Sequence, residues 1–385
     1  MKRVHSIDFL RGLVMVIMAL DHTRDLLHLT AQTQDPTNLS NTTTALFLTR
    51  WITHLCAPTF VFLSGASAYL SLKNHGDFAA SRRFLFKRGF WLVLLNFTLV
   101  NFGIFLDVHF SVLFLQVIAA IGFGFIGLAL LLKLPARTLG IIGLMLIFGH
   151  NLFSGVSFPQ GTPLNVLWSV LMGANFYQIS PKFAFLTTYP IIPWLGIMLA
   201  GFGFGELLGS PARKTLFWRI ALGALALFVL LRTFNVYGDP AHWAFQKDGW
   251  FTALSFINVS KYPPSLLFTL LMLGIAFLIL YAFEGVQNRF TKVVEVYGKV
   301  PLFYYVLHWY VIHAVATLVF LAQGYSWSDL QFSGMGFGRP QAGGGLDLAG
   351  TYMVWLGVVA LLYPCCRWYG RYKMAHPENW VLRYW

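Results

Sequence analysis

Residues 8–25, "DFLRGLVMVIMALDHTRD", decide how the chain is read. With its flanks, the run is long and apolar enough to cross about 30 Å of hydrocarbon as a helix. Yet Arg11 sits just inside its start, and Asp21 and His22 close the far end. A segment that only had to span would carry none of them, because ionisable groups inside spans are costly and mark function. Eleven residues at 100° each return to within about 20° of the starting direction and climb about 16 Å. Arg11 and His22 therefore share one stripe, one near each end. Asp8 precedes Arg11 by three and Asp25 follows His22 by three, so each has a carboxylate within reach on its own face. Arg11 also has a plainer option, snorkelling to the headgroups.

The rest of the chain has the same character. Of 385 residues, 57% are hydrophobic, 17% aromatic and only 11% charged, where soluble domains carry about 25% charged residues. With a mean hydropathy of +0.65, this composition defines an integral membrane protein. The net charge of +13 does not point to nucleic acid: the basic residues lie in short clusters between apolar runs, which is how topology is encoded. Cys56, Cys365 and Cys366 form no disulfide framework. The start, "MKRVHSIDFLRG", resembles a signal peptide, but Asp8 and Arg11 interrupt it and no small-residue cleavage site follows, so it reads as a retained first helix.

Spanning runs fall at 5–26, 47–72, 88–106, 110–133, 137–156, 188–208, 216–235, 262–284, 299–323 and 348–367. Only "DVH" (107–109) separates the third from the fourth. The fold expected is an all-α integral membrane protein of about ten transmembrane helices, forming a single polytopic domain over 1–385 with no separate soluble part. The loops that share a side with the N-terminus hold Arg82, Arg83, Lys87, Arg88, Lys133, Arg137, Arg213, Lys214, Arg219, Arg289, Lys292, Lys299 and "RWYGRYK". This excess places both termini in the cytoplasm. The opposite loops are long and polar ("HLTAQTQDPTNLSNTTT", "VYGDPAHWAFQKDGW"), suited to meeting a bulky acceptor.

At the outer level several spans contribute polar groups. These are Arg50 and His54 in "RWITHLCAP", His150 and Asn151 in "GHNLFSG", Trp194 beside Pro190 and Pro193, Arg232 and Asn235 in "LLRTFN", and Lys261 and Tyr262 in "SKYPPSLL". Each alone is explained by a satisfied histidine, an interfacial aromatic or a helix start. Their shared depth predicts one polar chamber, approached by His22, His54 and His150. His308 falls near mid-membrane. It and His313 are five apart, hence on different faces, and nothing has a zinc spacing, so no metal is expected. On the inner side, "SRRFLFKRGF" clusters Arg82, Arg83, Lys87 and Arg88. These serve either as topology signals or as a trap for a phosphorylated ligand. A ligand docked inside for chemistry outside needs a long thin arm, and coenzyme A has that shape.

The run "SIDFLRGLVMVIMALDH" resembles the opening of the transmembrane acyltransferase superfamily, with Arg11, ten residues, then His22. "MALDHTRD", "WITHLCAPTFVFLSGASAYL", "FKRGFWL", "GHNLFSG", "YPIIPWLGIML", "SKYPPSLLFTLLMLG" and "GKVPLFYYVLHWYVIHA" extend the likeness to the heparan-α-glucosaminide N-acetyltransferase branch and its bacterial relatives. The resemblance implies about ten helices and an acyl donor, usually acetyl-CoA, drawn from the cytosol. It further implies a sugar acceptor beyond the bilayer, His22 as catalytic histidine and Arg11 on the donor path. One member of the branch places its histidine a little further into the loop after the first helix, so His28 and His54 stay open as alternatives. Relatives allow a homodimer, and a bacterial inner membrane is the expected location.

Acyl transfer needs a base for the acceptor's proton, and histidine, with an unperturbed pKa near 6.5, suits that task. Asp21 or Asp25 would fix the imidazole tautomer. Asn151, Lys261 or the His54 ring would face the developing oxyanion. Arg11, Arg82, Arg83, Lys87, Arg88 and His308 are the expected donor-binding residues. Arg50, His150, Asn151, Trp194, Arg232, Lys261 and Tyr262 are those expected around the acceptor. Direct transfer and an acyl-histidine intermediate both fit. The competing class is a proton-coupled transporter or flippase, against which stands the absence of paired broken helices.

Overall fold

The computed structural model describes residues 4–385. The first expected span is α1 (His5–Leu27). The second is split into α2 (Thr44–Thr53) and α3 (Cys56–His75). Pro58 has no N–H to return to the His54 carbonyl, so the ladder is interrupted there. The third is α4 (Phe78–Leu95), running through a π turn (Asn96–Val100) into α5 (Asn101–Phe105). Then follow α6 (Val117–Leu131), α7 (Ala136–Gly149), the outer α8 (Pro163–Leu171), α9 (Ile191–Gly205), α10 (Arg213–Phe234) and the outer α11 (Gly249–Ile257). The chain closes with α12 (Leu266–Phe283), the amphipathic α13 (Arg289–Lys299), α14 (Pro301–Ala322) and α15 (Leu348–Ala375). Among the described residues, eight spans pass on length and apolarity, and Val117–Leu131 is a shorter apolar helix. With the charge-bearing α1, each of the ten expected spans has a helix.

The fourth span differs from expectation at its start. Leu106 and Phe110 take left-handed backbone with φ 49°, which ends α5 and turns the chain. The Asp107 carboxylate accepts from the backbone N–H groups of His109 (2.9 Å) and Ser111 (2.8 Å). Residues 112–115, expected in helix, become β1 (Val112–Leu115), parallel to β3 (Phe183–Thr187), which pairs antiparallel with β2 (Asn175–Ser180). A two-residue pairing of β4 (Leu330–Gln331) with β5 (Arg339–Pro340) lies in the loop before α15. Both small sheets belong to the end of the bundle that carries the long polar loops.

The helix α1 is the hub, packed against α2, α3, α12, α13, α14 and α15. Its closest approach is to α13: a Cβ at Gly12 would run into the Val294 carbonyl, and one at Gly298 into that of Asp8. Small residues are how helices approach closely in a bilayer, where lipid offers no hydrophobic drive. The "AGFGFG" run on α9 does the same, Gly201 backing onto Phe62 of α3 and Gly203 onto Gly140 of α7. The starts of α4, α7 and α10, the helix α13 and the end of α15 gather their lysines and arginines at one end, the basic end.

Candidate active site

Three cavities lie in file along α1. Next to the basic end is one of about 90 Å³, lined by Arg11, Met15, Ser64, Arg88 and the first turn of α14. Next comes a chamber of about 40 Å³ containing His22, Met18, Asp21, Cys56 and Gln116. Phe60, Val117 and Tyr305 line both, so they form the partition between them. Beyond it a vestibule of about 650 Å³ opens among the polar loops, lined by Arg24, Asp25, Arg50, His54 and residues 31–37 and 258–262. Lys261 lines both vestibule and chamber. Arg11, Met15, Met18 and His22, at i, i+4, i+7 and i+11, are the α1 stripe facing this file, as the helical period requires.

The orientation of His22 follows from its neighbours. Its Nδ1 lies 2.6 Å from Nε2 of His308, and its ring stacks on Trp309 with centroids 3.9 Å apart. His308 is fully buried, and its Nδ1 is 3.2 Å from the Tyr304 carbonyl. A carbonyl only accepts, so His308 Nδ1 bears the hydrogen and, in the neutral ring, Nε2 is an acceptor. His22 must then donate from Nδ1. That leaves His22 Nε2 with its lone pair, the form a general base needs. His308, expected on the donor path, is thus the partner of His22.

The carboxylates expected to orient His22 are engaged elsewhere. Asp21 pairs with Arg24 at 3.0 Å and also with Arg50. Asp25, half exposed, pairs with Arg24. The cluster of Arg24, Arg50 and Lys261 around Asp21 and Asp25 keeps a surplus of one positive charge. Lys261 is buried, makes no hydrogen bond or ion pair to protein among the described residues, and has its Nζ 5.0 Å from the Tyr262 ring centroid. Tyr262 packs edge-on against Tyr189 of the chamber.

The other expected residues separate into two groups. Arg11 points inward, donating to Ser67 Oγ at 2.9 Å and pairing with Asp8 at 3.2 Å, so snorkelling is not its role. Arg88 lines the same cavity, its guanidinium 6.0 Å from the Phe125 ring centroid. Arg82, Arg83 and Lys87 are exposed, and Arg82 caps α6 by donating to the Ala129 carbonyl at 3.1 Å. His54 faces the vestibule, its Nδ1 without a partner among the described residues. His28 ends α1 and is met by the Thr30 N–H at 3.3 Å.

The single chamber drawing in His22, His54 and His150 does not form. His150 ties the end of α7 to the Pro264 carbonyl at 2.8 Å, and Asn151 accepts from the Leu266 N–H at 2.8 Å. Both pin the start of α12 and line none of the three cavities. Trp194 is fully buried against Tyr189, 4.9 Å between centroids, also outside them. Arg232 spends its donors on the carbonyls of Phe256, Ala241, Ser255 and Asn258 at 2.7–3.0 Å. It clamps the loop that walls the vestibule. Depth along a helix was legible for these residues, but the direction each side chain faces depends on neighbours the periodicity does not contain.

Gln116 and Tyr305 carry no signal in the sequence. One is a lone amide before an apolar run, the other one tyrosine among several. The structure puts both in the chamber wall.

A polytopic helical bundle with a histidine pair, one ring fully buried and the other half-buried, reached by cavities from both ends, defines the class: a membrane protein with a centre inside the bilayer. The chain belongs to the family described as heparan-alpha-glucosaminide N-acetyltransferase, catalytic, which it matches over residues 3–241. This is a family of transmembrane acetyltransferases, which use acetyl-CoA as donor. A comparison with curated proteins finds no match. The matched part carries Arg11, His22, Gln116 and the vestibule's first wall, while Lys261 and His308 lie beyond it.

Proposed function

We propose that the whole chain acts as one catalytic domain in a bacterial cytoplasmic membrane. It moves an acetyl group from cytosolic acetyl-CoA to an amino or hydroxyl group of a carbohydrate on the opposite side. The observation that carries this reading is the file of cavities with the bare Nε2 of His22 at its junction. The basic end faces the cytosol by the positive-inside rule. Arg11 and Arg88 line the donor's way in, while Arg82, Arg83 and Lys87 add a positive field at its mouth that favours phosphates. A chamber of about 40 Å³ is only a few times the roughly 10–15 Å³ that one water needs, which supports a two-carbon acyl group over a long chain. The acceptor occupies the vestibule, where Arg50, His54, Lys261 and Tyr262 supply polar contacts.

The chemistry then balances as follows. The acceptor nitrogen or oxygen gives its proton to His22 Nε2 and bonds to the thioester carbonyl carbon. The carbonyl π electrons move to oxygen, facing the Lys261 ammonium. The intermediate collapses with cleavage of the C–S bond, and the thiolate takes the proton back from His22. Transfer is direct, because donor and acceptor reach the chamber from opposite sides and need no resting place on the enzyme.

Purified protein with labelled acetyl-CoA and a panel of amino and hydroxy sugars tests this. Wild type should acetylate at least one sugar, and His22→Ala should lose about 10²–10⁴ in rate, the usual worth of general base catalysis. Absence of donor binding and of transfer overturns the reading. Unchanged turnover in His22→Ala overturns the assignment of the base.

A further inference from the structure

The chamber holds one strong donor the chemistry above has not used. Gln116 is 5% exposed and stands between β1 and α6, as the residue that opens α6. Its Oε1 accepts the Tyr305 hydroxyl at 2.5 Å. With the amide turned this way, Nε2 is without a partner among the described residues. A buried amide N–H₂ with no acceptor costs about 1–3 kcal/mol, so its persistence needs a reason. The side chain lines the same small cavity as His22. Its chain neighbour Val117 and its partner Tyr305 both belong to the partition that an arm from the basic end must cross to bring its thioester to His22. The N-terminal end of the 15-residue α6 adds its positive dipole at the same place.

We infer that the Gln116 amide is a second oxyanion donor beside Lys261, held in register by Tyr305. It donates from Nε2 to the thioester carbonyl oxygen, and the bond strengthens as that oxygen gains the π electron pair during acceptor attack. Gln116 thereby joins Lys261 in the role for which Asn151, Lys261 or the His54 ring was expected. Asn151 instead has its Oδ1 committed to the Leu266 N–H. Tyr305 acts through Gln116 and is a positioning residue. The inference rests on His22 being the base of an acyl transfer.

The test uses Gln116→Met, which keeps length and volume but has no N–H, and Tyr305→Phe, which keeps the ring and releases the amide. Gln116→Met should lower kcat by about 10²–10³, the range for loss of one oxyanion-hole donor. Affinity for a thioether analogue of acetyl-CoA, which lacks the carbonyl, should stay as in wild type. In a His22→Ala background that holds the donor unreacted, the infrared carbonyl stretch of ¹³C-labelled acetyl-CoA should be red-shifted with Gln116 present. It should return toward the free value in His22→Ala/Gln116→Met. Tyr305→Phe should give a smaller loss in kcat and an intermediate stretch, and it decides the matter if Gln116→Met does not fold. Turnover of Gln116→Met within threefold of wild type, or a stretch indifferent to residue 116, overturns the inference. Full turnover in His22→Ala alone overturns the reading on which it rests.

Discussion

At the residue scale the most informative contact is His308 Nε2 to His22 Nδ1, 2.6 Å across helices 286 positions apart. In the proposed reaction it does the work of the carboxylate in a catalytic triad, setting the tautomer by passing the constraint from a backbone carbonyl through a second imidazole. His308→Phe keeps an aromatic ring but removes the acceptor, and His308→Gln restores an acceptor oxygen that can face His22. Turnover should fall about 10- to 100-fold in the Phe variant, part of the 10²–10⁴ that general base catalysis supplies. It should recover severalfold in the Gln variant, with donor affinity equal in both. Equal losses in the two variants would assign His308 to packing alone. His22 itself was legible, because eleven residues of helix link it to Arg11 by arithmetic. His308 was legible only as a costly buried ring, since a helical period gives depth and face on one helix and not which helix stands opposite. Gln116 gave nothing to read, because its meaning comes from the Tyr305 hydroxyl that turns it.

At the element scale, the π turn Asn96–Val100 places the chamber's wall. Residues five apart diverge by about 140° in a regular α-helix; the wider i→i+5 turn brings Asn96 and Asn101 toward one face. Both address β1: Asn96 donates to the Phe114 carbonyl at 2.8 Å, and Asn101 to that of Val112 at 2.9 Å. Asn101 also accepts from the Phe114 N–H at 2.9 Å. The strand so fixed ends one residue before Gln116. Asn101→Leu should leave two buried backbone groups unpaired, at about 1–3 kcal/mol each. The expected result is a clear drop in Tm of the solubilised protein together with a lower kcat. A variant with unchanged Tm would show that β1 is held by its pairing with β3 alone. The helices of this fold were legible because ten apolar runs exceed the bilayer's requirement. The strands were not: in "VLFLQVIAAIGFGF" strand and helix are equally apolar, and only Gln116, in extended backbone at φ −125°, ψ −167°, lies between β1 and α6.

At the scale of the molecule, the file of cavities turns a barrier of about 30 Å into a short interior path. Arg11 and Arg88 stand on one side of His22, and the polar vestibule on the other. The partition of Phe60, Val117 and Tyr305 keeps the two compartments apart, as a membrane enzyme must if it is not to leak. Under the proposed function this arrangement makes the reaction vectorial, and its two ends can be blocked independently. In sealed vesicles, labelled acetyl-CoA should support transfer only when supplied to the face that carries the starts of α4 and α10. The acceptor should be consumed only from the opposite face. Ser64→Trp puts an indole into the donor cavity of about 90 Å³, so it should abolish donor binding while acceptor binding at the vestibule persists. That substitution lies on the stripe of α3 containing Phe60, and overpacking there costs about 1–3 kcal/mol, so acceptor affinity equal to wild type is the control that the variant is folded. Transfer from donor added to either face, or donor binding undiminished in Ser64→Trp, would mean that acetyl-CoA reaches His22 by another route.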